Sequence, residues 1–443
     1  MMKLLFVSLA FGFTFLLFNS CHERGPLFPD PALGLGLRDF SCTEAWIEVQ
    51  VGNNDKTANI YIKKDDEIIQ TIRLGQSDSL FYFDDLQPNT SYKFDAVTYD
   101  DGKEIKSNPV SFTTLDTTSH NFTWQTFTFG NYDNSVLYDV AIIDENNIWA
   151  VGEIYIEDSS GVVNLYNAVH WNGQSWELQK IKTNACGGVD YPPIKTIFAF
   201  SSNDILFAHI DGSISHYDGI EFVNDCSLIT QLNGSANKIC GISKNDFYVV
   251  SGNGFIAHYQ NGNWTKIESG TNNNLLDVMG TTDGNTVWTC GYSGDYANTV
   301  LIRVKDGVAG KVYEGSSNGQ SNGYYIGPIS GVWTDNDYRV FLMNAGGIYI
   351  QKNSNEFFLE KEVARFTHGS YGIDGTRSNN IFACGDRFIG HWNGSTYYEY
   401  PELYRQFGTY FSTNAKENIV CVVGTDYSDG LNFKAIIALG IRN

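Results

Sequence analysis

Basic residues are scarce in this sequence. It contains 29 Lys and Arg against 50 Asp and Glu among 443 residues, a formal net charge of −21. Because a nucleic-acid footprint or a polybasic membrane patch needs clustered positive charge, this balance argues against both kinds of partner. Proline is also scarce, at 9 residues beside 44 glycines, which excludes a collagen-like or proline-rich chain.

Several motifs that would name a chemistry are missing. The chain has no P-loop, no His-Glu-x-x-His zinc motif and no Cys-x-x-Cys pair among its 8 cysteines. The Ser-x-Asp-x-Gly-x-x-Trp turn of sialidases is absent, as is any cluster that resembles their arginine triad. We therefore expect no catalytic residues, no metal and no cofactor. Paired acids of a glycoside hydrolase cannot be recognised from spacing alone, so an enzyme stays open as an alternative.

The N-terminus has the build of a secretory signal peptide. Lys3 precedes an uncharged, mostly apolar run over residues 4–20, which is slightly short for a transmembrane helix. The run ends in Leu-Phe-Asn-Ser-Cys at 17–21, which resembles the lipobox of bacterial lipoproteins, although Asn19 departs from the commonest pattern. The resemblance implies that Cys21 is acylated and becomes the new N-terminus. The alternative is cleavage nearby, with Cys21 an incidental thiol.

Seven cysteines remain after Cys21, an odd number that leaves at least one thiol free. Export permits disulfides, and the best candidate pair is Cys186 and Cys226, which flank one repeat in loops. Cys290, Cys384 and Cys421 share one strand position in three repeats. We expect these three to be reduced and to pack as small buried hydrophobic residues.

Residues 21–37 are rich in Pro and Gly and are predicted to be a tether. Residues 38–115 then show six or seven short strand patterns separated by turns, as in an immunoglobulin-like sandwich. The run Leu-Gln-Pro-Asn-Thr-Ser-Tyr at 86–92 resembles the tyrosine corner of fibronectin type III domains. The resemblance implies that the Tyr92 hydroxyl bonds back to the loop backbone, and that this domain is a spacer.

A repeat runs through residues 121–443. Each copy has a polar turn followed by an apolar strand, such as Asn-Ile-Trp-Ala-Val-Gly from residue 147, and most continue into an Asn-Gly or Asp-Gly hairpin, the residues that a type I′ turn needs. Seven copies, 39 to 56 residues apart, are anchored on Asn147, Asn203, Asn245, Asn285, Asn336, Asn379 and Asn418. Four strands per repeat of this length are typical of a β-propeller blade.

The last copy ends after its third strand, whereas the segment 122–128, with Trp124, has the pattern of an outer strand without a repeat of its own. We expect this segment to complete the last blade and close the ring, which removes exposed sheet edges. The predicted fold class is all-β: a fibronectin type III-like sandwich plus a seven-bladed β-propeller closed by an N-terminal outer strand.

Four histidines, His170, His216, His258 and His391, occupy one place in four repeats. Since that place lies on one strand of each blade, the side chains radiate apart rather than converge on a metal. We interpret them as hydrogen-bonded repeat positions.

Long, variable segments fall on one face of the predicted propeller, and the opposite face has short turns. Variable loops on a rigid scaffold are where binding sites are placed, and tyrosine offers contact area at low entropic cost. The candidate ligand-binding residues on this long-loop face are Tyr191, Tyr296, Tyr325, Tyr404 and Tyr427.

The whole chain resembles exported lipoproteins of Bacteroidota that join a lipobox, a fibronectin type III module and a propeller. The resemblance implies an outer-membrane, periplasmic or surface-exposed protein that reaches the membrane through its lipid only and binds a glycan or protein at the cell surface without catalysis. The alternatives are a glycan-active enzyme, hydrolase or lyase, with acids in the central channel, and a scaffold or sensor subunit of an envelope complex. Carboxylates of raised pKa at the channel mouth would favour the enzyme, and an aromatic platform would favour binding.

Overall fold

A computed structural model describes residues 33–443 except 53–57, 75–78, 133, 184–185, 188–189, 233, 318–324, 353–358, 367, 429 and 431. The predicted signal peptide and Cys21 lie outside these residues. The regular secondary structure of the described residues is almost entirely β-strand, so the prediction of an all-β protein is confirmed. It contains a single helical turn of each kind, at Ile229–Leu232 (α1) and Pro401–Leu403 (3₁₀). No helix in this part of the chain is long and apolar enough to cross a bilayer.

The first eight strands form two sheets. One has three strands in the order β1-β2-β5, and the other has β4-β3-β6-β7 with β8 paired to β6. Their bounds are β1 Leu33–Phe40, β2 Ala45–Val51, β3 Ala58–Lys64, β4 Glu67–Leu74, β5 Ser79–Phe83, β6 Ser91–Asp100, β7 Lys103–Lys106 and β8 Val110–Thr113. The backbone N–H of Gln87 donates a hydrogen bond to Tyr92 Oη at 2.8 Å, the contact expected of the tyrosine corner.

The predicted tether extends too far, because strand β1 begins at Leu33. The segment Leu-Gly-Leu-Gly-Leu at 33–37 was assigned to the tether for its glycines, which are permissive in any conformation. Its leucines alternate, however, which is the period of a strand. Leu33 is fully buried.

Seven four-stranded antiparallel sheets, S1 to S7 in chain order, follow within the described residues. S1 comprises β10 Val136–Asp144, β11 Asn147–Glu157, β12 Val163–Trp171 and β13 Trp176–Gln179. S2 comprises β14 Ile194–Ser201, β15 Asp204–His209, β16 Ile214–Tyr217 and β17 Phe222–Asp225. S3 comprises β18 Ala236–Ser243, β19 Asp246–Ser251, β20 Phe255–Gln260 and β21 Asn263–Glu268. S4 comprises β22 Asn274–Gly280, β23 Thr286–Tyr292, β24 Asn298–Lys305 and β25 Val308–Ser316. S5 comprises β26 Ile329–Asn336, β27 Arg339–Asn344, β28 Gly347–Lys352 and β29 Leu359–Arg365. S6 comprises β30 Ser370–Arg377, β31 Asn380–Gly385, β32 Phe388–Trp392 and β33 Tyr397–Glu399. S7 comprises β34 Gly408–Lys416, β35 Ile419–Asp426 and β36 Lys434–Arg442, together with β9 Phe122–Phe129.

S7 takes its outer strand from the start of this region: β9 pairs with β36 in the order β34-β35-β36-β9. Trp124 is opposite Gly440 in this pairing, and its ring packs on Tyr400 with centroids 4.9 Å apart. A Cβ at position 440 would lie 2.8 Å from the Trp124 ring, so glycine is needed for the close approach. This is the pairing that the sequence pattern of residues 122–128 predicts.

The first strands of the seven sheets are neighbours in space. Each contacts the first strand of the next sheet, and β34 of S7 contacts β10 of S1, so the contacts close on themselves. The apolar clusters lie between adjacent sheets. For example, Val140 and Val169 of S1 pack with Cys421 and Ile437 of S7. The core is therefore repeated between sheets rather than gathered at one centre.

The chain divides into two compact units. One contains the described residues up to 36 with 49–79 and 94–110, and the other contains 37–48, 80–93 and 111–443. Within the second unit, the buried guanidinium of Arg339 forms an ion pair with Asp39 at 3.1 Å and lies 5.1 Å from the ring centroid of Trp46. Residues 37–48 are thus held to S5 by a desolvated charge pair.

One disulfide is present among the described residues, between Cys186 and Cys226, which confirms the predicted pair. Cys42, Cys240, Cys290, Cys384 and Cys421 are free and buried. Burial raises the pKa of each of these thiols, so they stay protonated and pack as hydrophobic groups, as predicted for the last three.

Candidate ligand-binding cavity

The first strand of every one of the seven sheets carries a β-bulge near its start. In each strand one residue is skipped by the pairing with the second strand, which bends the strand and redirects that side chain. The skipped residues are Tyr138, Lys195, Asn237, Leu276, Ser330, Tyr371 and Phe411. All seven line one cavity of about 230 Å³, which we call the central cavity.

Aromatic rings from three consecutive sheets form one wall of the central cavity. The ring centroids of Tyr371 (S6) and Phe411 (S7) are 5.5 Å apart, and those of Phe411 and Tyr138 (S1) are 6.4 Å apart. Tyr292, at the end of β23, also lines the cavity. We call Tyr371, Phe411 and Tyr138 the aromatic wall.

A lysine ammonium lies at the end of the aromatic wall. Lys195 Nζ is 4.1 Å from the ring centroid of Tyr138, a cation–π distance. Burial lowers the pKa of Lys195, while the charges of Asp139 and Glu153 act in the opposite direction. Among the described residues no carboxylate or hydrogen-bond acceptor contacts this ammonium. The nearby Glu153 instead accepts hydrogen bonds from the hydroxyls of Tyr138 and Tyr155, at 2.5 and 2.7 Å.

The floor of the central cavity is an ion pair between buried Asp139 (S1) and partly exposed Lys238 (S3), with Nζ and Oδ1 2.6 Å apart. Asp139 also accepts hydrogen bonds from Thr196 Oγ1 at 2.7 Å and Ser412 Oγ at 2.6 Å. Burial alone would raise the pKa of Asp139, but the ammonium and these hydrogen bonds outweigh it and lower that pKa. One carboxylate therefore joins four sheets.

Asp277 lines the central cavity, and both Asp277 and Asp374 line a second cavity beside it. Burial raises the pKa of Asp277 to about 6 and that of Asp374 to about 7. Asp277 accepts the backbone N–H groups of Val278 and Val332, both at 2.9 Å. Asp374 accepts the N–H of Ala415 at 2.8 Å and an Asn414 Nδ2 hydrogen bond at 2.7 Å.

These bonds share one pattern, in which a first-strand side chain accepts a backbone N–H from the first strand of the next sheet. Asp139 accepts the N–H of Ile197, Asp277 that of Val332, Asp374 that of Ala415 and Asn414 that of Ile142. The last bond joins S7 to S1. Asp277 and Asp374, the two carboxyls whose pKa values are raised, therefore help to hold neighbouring sheets together.

The five tyrosines predicted from the sequence do not line the central cavity. Tyr296 is 59% exposed, stacks on Tyr292 at 5.2 Å, and accepts a hydrogen bond at its carbonyl from Tyr325 Oη at 2.5 Å. Tyr191 lies 5.7 Å from Lys180 Nζ. Tyr404 is near His368, with centroids 6.4 Å apart, and Tyr427 is near Phe433, at 5.4 Å.

Sequence reasoning missed the cavity residues because a bulge depends on how two strands pair, which the residues of one strand do not reveal. The available signal was the same position, early in the first strand of every copy, recurring seven times. Residues 153–167 are mostly strand, since β11 and β12 form a long hairpin.

The four repeat histidines are hydrogen-bonded, as predicted. His170 and His391 contact the side-chain Oδ1 atoms of Asn147 and Asn380, at 2.9 and 3.0 Å. His216 and His258 contact Asp204 and Asp246, both at 2.7 Å. No group of three or more potential metal ligands is found in the described part of the chain.

Comparison with known proteins identifies the fold alone. No family model and no curated protein matches the sequence. Among solved structures, the chain is similar to the WD40 β-propeller domain of Doa1 with a TM-score of 0.50 at 14% identity, covering 73% of this chain and 98% of that one. It is similar to YCF48 bound to D1 peptide with a TM-score of 0.51 at 13% identity, covering 72% and 95%. The chain therefore contains a β-propeller.

Proposed function

We propose that this protein binds a glycan or protein ligand without catalysis, through the long-loop face of a seven-bladed propeller in which S1 to S7 are the blades. The ligand enters the central cavity, which opens at the end of the channel where the first strands begin. The fibronectin type III-like sandwich serves as a spacer, and lipidated Cys21 anchors the protein in the cell envelope.

The observation that carries this proposal is the set of seven bulge residues around one cavity. A bulge that redirects a side chain disturbs the ladder of hydrogen bonds, and such features are concentrated next to functional sites. Here every sheet has one at the same place, and three of the residues supply aromatic rings. Rigid aromatic surface with a few polar groups is the usual composition of a ligand site.

A binding role is favoured over catalysis by what the channel carboxyls do. Asp277 and Asp374 have raised pKa values, which would suit a general acid. Their oxygens, however, accept backbone N–H groups from the first strand of the next sheet. A catalytic acid must be free to give its proton to a substrate. The solved propeller YCF48 is bound to D1 peptide, a precedent for a peptide ligand in this fold.

The test is a glycan-array and polysaccharide-retardation screen of the protein, with product analysis of every bound sugar and a pull-down from envelope extracts. Tyr371→Ala shortens the aromatic wall, and Tyr398→Ala, which removes an exposed tyrosine of β33, is its matched control. We expect binding without turnover that Tyr371→Ala abolishes and Tyr398→Ala preserves. Cleavage of a bound glycan would favour the enzyme. Unaltered binding by Tyr371→Ala would contradict the cavity as the site.

The envelope location has its own test. We expect radiolabelled palmitate to be incorporated into the wild-type protein in a bacterial host and not into Cys21→Ser. Equal labelling of both would show that Cys21 is not the lipidated residue.

A further inference from the structure

The central cavity is unevenly polar. The aromatic wall and Leu276 offer apolar surface, whereas the polar groups of its rim are few and mostly engaged. Tyr138 Oη donates to Glu153, Ser330 Oγ lies 3.3 Å from the carbonyl of Met343, and Asn237 Nδ2 donates to the carbonyl of Leu275 at 2.7 Å. Among the described residues this leaves the ammonium of Lys195, the amide oxygen of Asn237 and the hydroxyl of Tyr292 without a hydrogen bond, while Tyr371 Oη has only a 3.5 Å contact with Asp386.

The floor separates the central cavity from a second cavity. Lys238 and Asp277 line both the central cavity and the second cavity of about 270 Å³ beyond it, so their side chains stand between the two. Lys238 is paired with Asp139, whose carboxylate largely neutralises its charge. A space of about 230 Å³ with such a floor fits the end of a chain rather than its middle.

We propose that the central cavity binds the C-terminal residue of a peptide whose last side chain is large and apolar. The α-carboxylate pairs with Lys195 Nζ, the terminal N–H donates to Asn237 Oδ1, and the side chain packs on Tyr371 and Phe411. This inference rests on the proposed function, since it names the ligand class of the same site.

The polarity of the rim favours a peptide end over a sugar. A sugar ring brings several hydroxyls, and each one that is desolvated without a partner costs binding free energy. A C-terminal residue needs only a cation and one acceptor, which is what Lys195 and Asn237 supply. The nearby carboxylates do not form an ion pair with Lys195, because Asp139 is paired with Lys238 and Glu153 accepts hydrogen bonds from two tyrosine hydroxyls.

The probes are fluorescein-labelled Gly-Ser-Gly-Ser-Gly-Phe with a free C-terminal carboxylate, the same peptide as the C-terminal amide, and a free-acid peptide that ends in Ser. Binding is measured by fluorescence anisotropy with the full chain. We expect the free acid ending in Phe to bind at least about tenfold more tightly than the amide, because a charge-assisted hydrogen bond is lost. We expect the peptide ending in Ser to bind weakly, because it leaves the aromatic wall uncovered.

The protein variants separate charge from packing. Lys195→Met keeps the contact with the Tyr138 ring and should abolish the preference for the free acid, whereas Lys195→Arg should retain it. Lys266→Met removes an exposed lysine of β21 that pairs with Glu268 and should change nothing. All variants are compared at equal folded fraction, judged from their melting curves.

The outcomes distinguish the two proposals. Equal affinity for acid and amide, or an unaltered preference in Lys195→Met, overturns the C-terminal inference. If those peptides bind and Tyr371→Ala abolishes the binding, the cavity remains the ligand site. If no peptide binds but a glycan does, and Tyr371→Ala abolishes that, the ligand class is wrong and the proposed function stands. If Tyr371→Ala changes no binding at all, both proposals fail.

Discussion

Lys238 Nζ and Asp139 Oδ1 lie 2.6 Å apart across the channel, although their strands belong to sheets separated by a whole repeat. Asp139 is buried, and S2 and S7 also donate to it. Burial opposes the charge on Lys238, but the charges of Asp139 and Asp277 outweigh it and raise the lysine pKa. The pair therefore holds the first strands at one fixed spacing, and it gives the cavity its floor.

Breaking this pair should be costly. Lys238→Met leaves the Asp139 carboxylate buried without its cation, and removing one partner of a buried pair typically costs about 3–5 kcal/mol. We expect a loss of that size in the free energy of unfolding, measured by urea titration. The double variant Lys238→Met/Asp139→Asn should recover part of it, and Lys266→Met, at an exposed pair, should cost less than about 1 kcal/mol. A loss as small for Lys238→Met as for Lys266→Met would contradict the prediction.

Asp277 and Asp374 should each contribute a loss of stability as pH rises through the range set by their pKa values. Their folded pKa values, about 6 and about 7, exceed the ordinary 3.8, so the folded state binds more protons than the unfolded state between these limits. These two carboxyls therefore make the free energy of unfolding decrease with rising pH in that window, whereas His209 and His391, whose pKa values burial lowers, make it increase up to their ordinary 6.5. Asp374→Asn should flatten the dependence of Tm between pH 5 and 8, as seen by calorimetry.

Asp306→Asn, at an exposed hairpin, is the control for that measurement. Asp139, whose pKa is lowered, contributes in the opposite direction: its stabilisation is present above the ordinary pKa of an aspartate and is lost as pH falls below it. Identical Tm profiles for the wild type and Asp374→Asn would show that Asp374 holds no extra proton in the fold.

Arg339 should be essential for holding residues 37–48. Its guanidinium is 2% exposed, lies 3.1 Å from Asp39 and 3.7 Å from Asp335, and covers the Trp46 ring. We expect Arg339→Met to destabilise the protein by about 3 kcal/mol, the scale of a broken buried pair. Hydrogen exchange should show faster exchange in strand β1. Unchanged exchange there, with an otherwise destabilised protein, would contradict the local role.

Reducing agents should lower the thermal stability of the protein through one disulfide, Cys186–Cys226. Cys186 and Cys226 are 40 residues apart in sequence, and a crosslink of that span typically contributes about 2–4 kcal/mol. We expect Cys186→Ser/Cys226→Ser to lower Tm, and dithiothreitol to lower the wild-type Tm by the same amount. The free, buried cysteines should not react with iodoacetamide in the native state. A further Tm decrease of the double variant in dithiothreitol would indicate another disulfide.

Much of the fold was predictable because its signals are local. The apolar strand that begins at Asn147 or Asn380 and the Asn-Gly and Asp-Gly hairpins can be recognised within one copy. The missing fourth strand of the last copy and the unpaired pattern around Trp124 together indicated the pairing of β9 with β36. The error at Leu33 has a local cause as well, since glycine is equally common in tethers and in strands.

The site was not predictable in the same way. Tyr371, Phe411 and Tyr138 lie in different copies, more than 200 residues apart at the extremes, and are neighbours only because S6, S7 and S1 meet. The tyrosines selected from the sequence were those in predicted loops, whereas the cavity is lined by residues of the first strands. A bulge redirects those residues, and it is a property of paired strands.

The sequence by itself determined the strands, their turns and the closure of S7, because periodicity and turn chemistry act over a few residues. It also determined that Cys290, Cys384 and Cys421 would be buried, through their shared position in the repeat. Only the tertiary structure decided which side chains face one another in the channel. The Asp139–Lys238 pair, the aromatic wall and the place of the Lys195 ammonium beside it exist because seven distant strands converge, and convergence leaves no trace in any single copy.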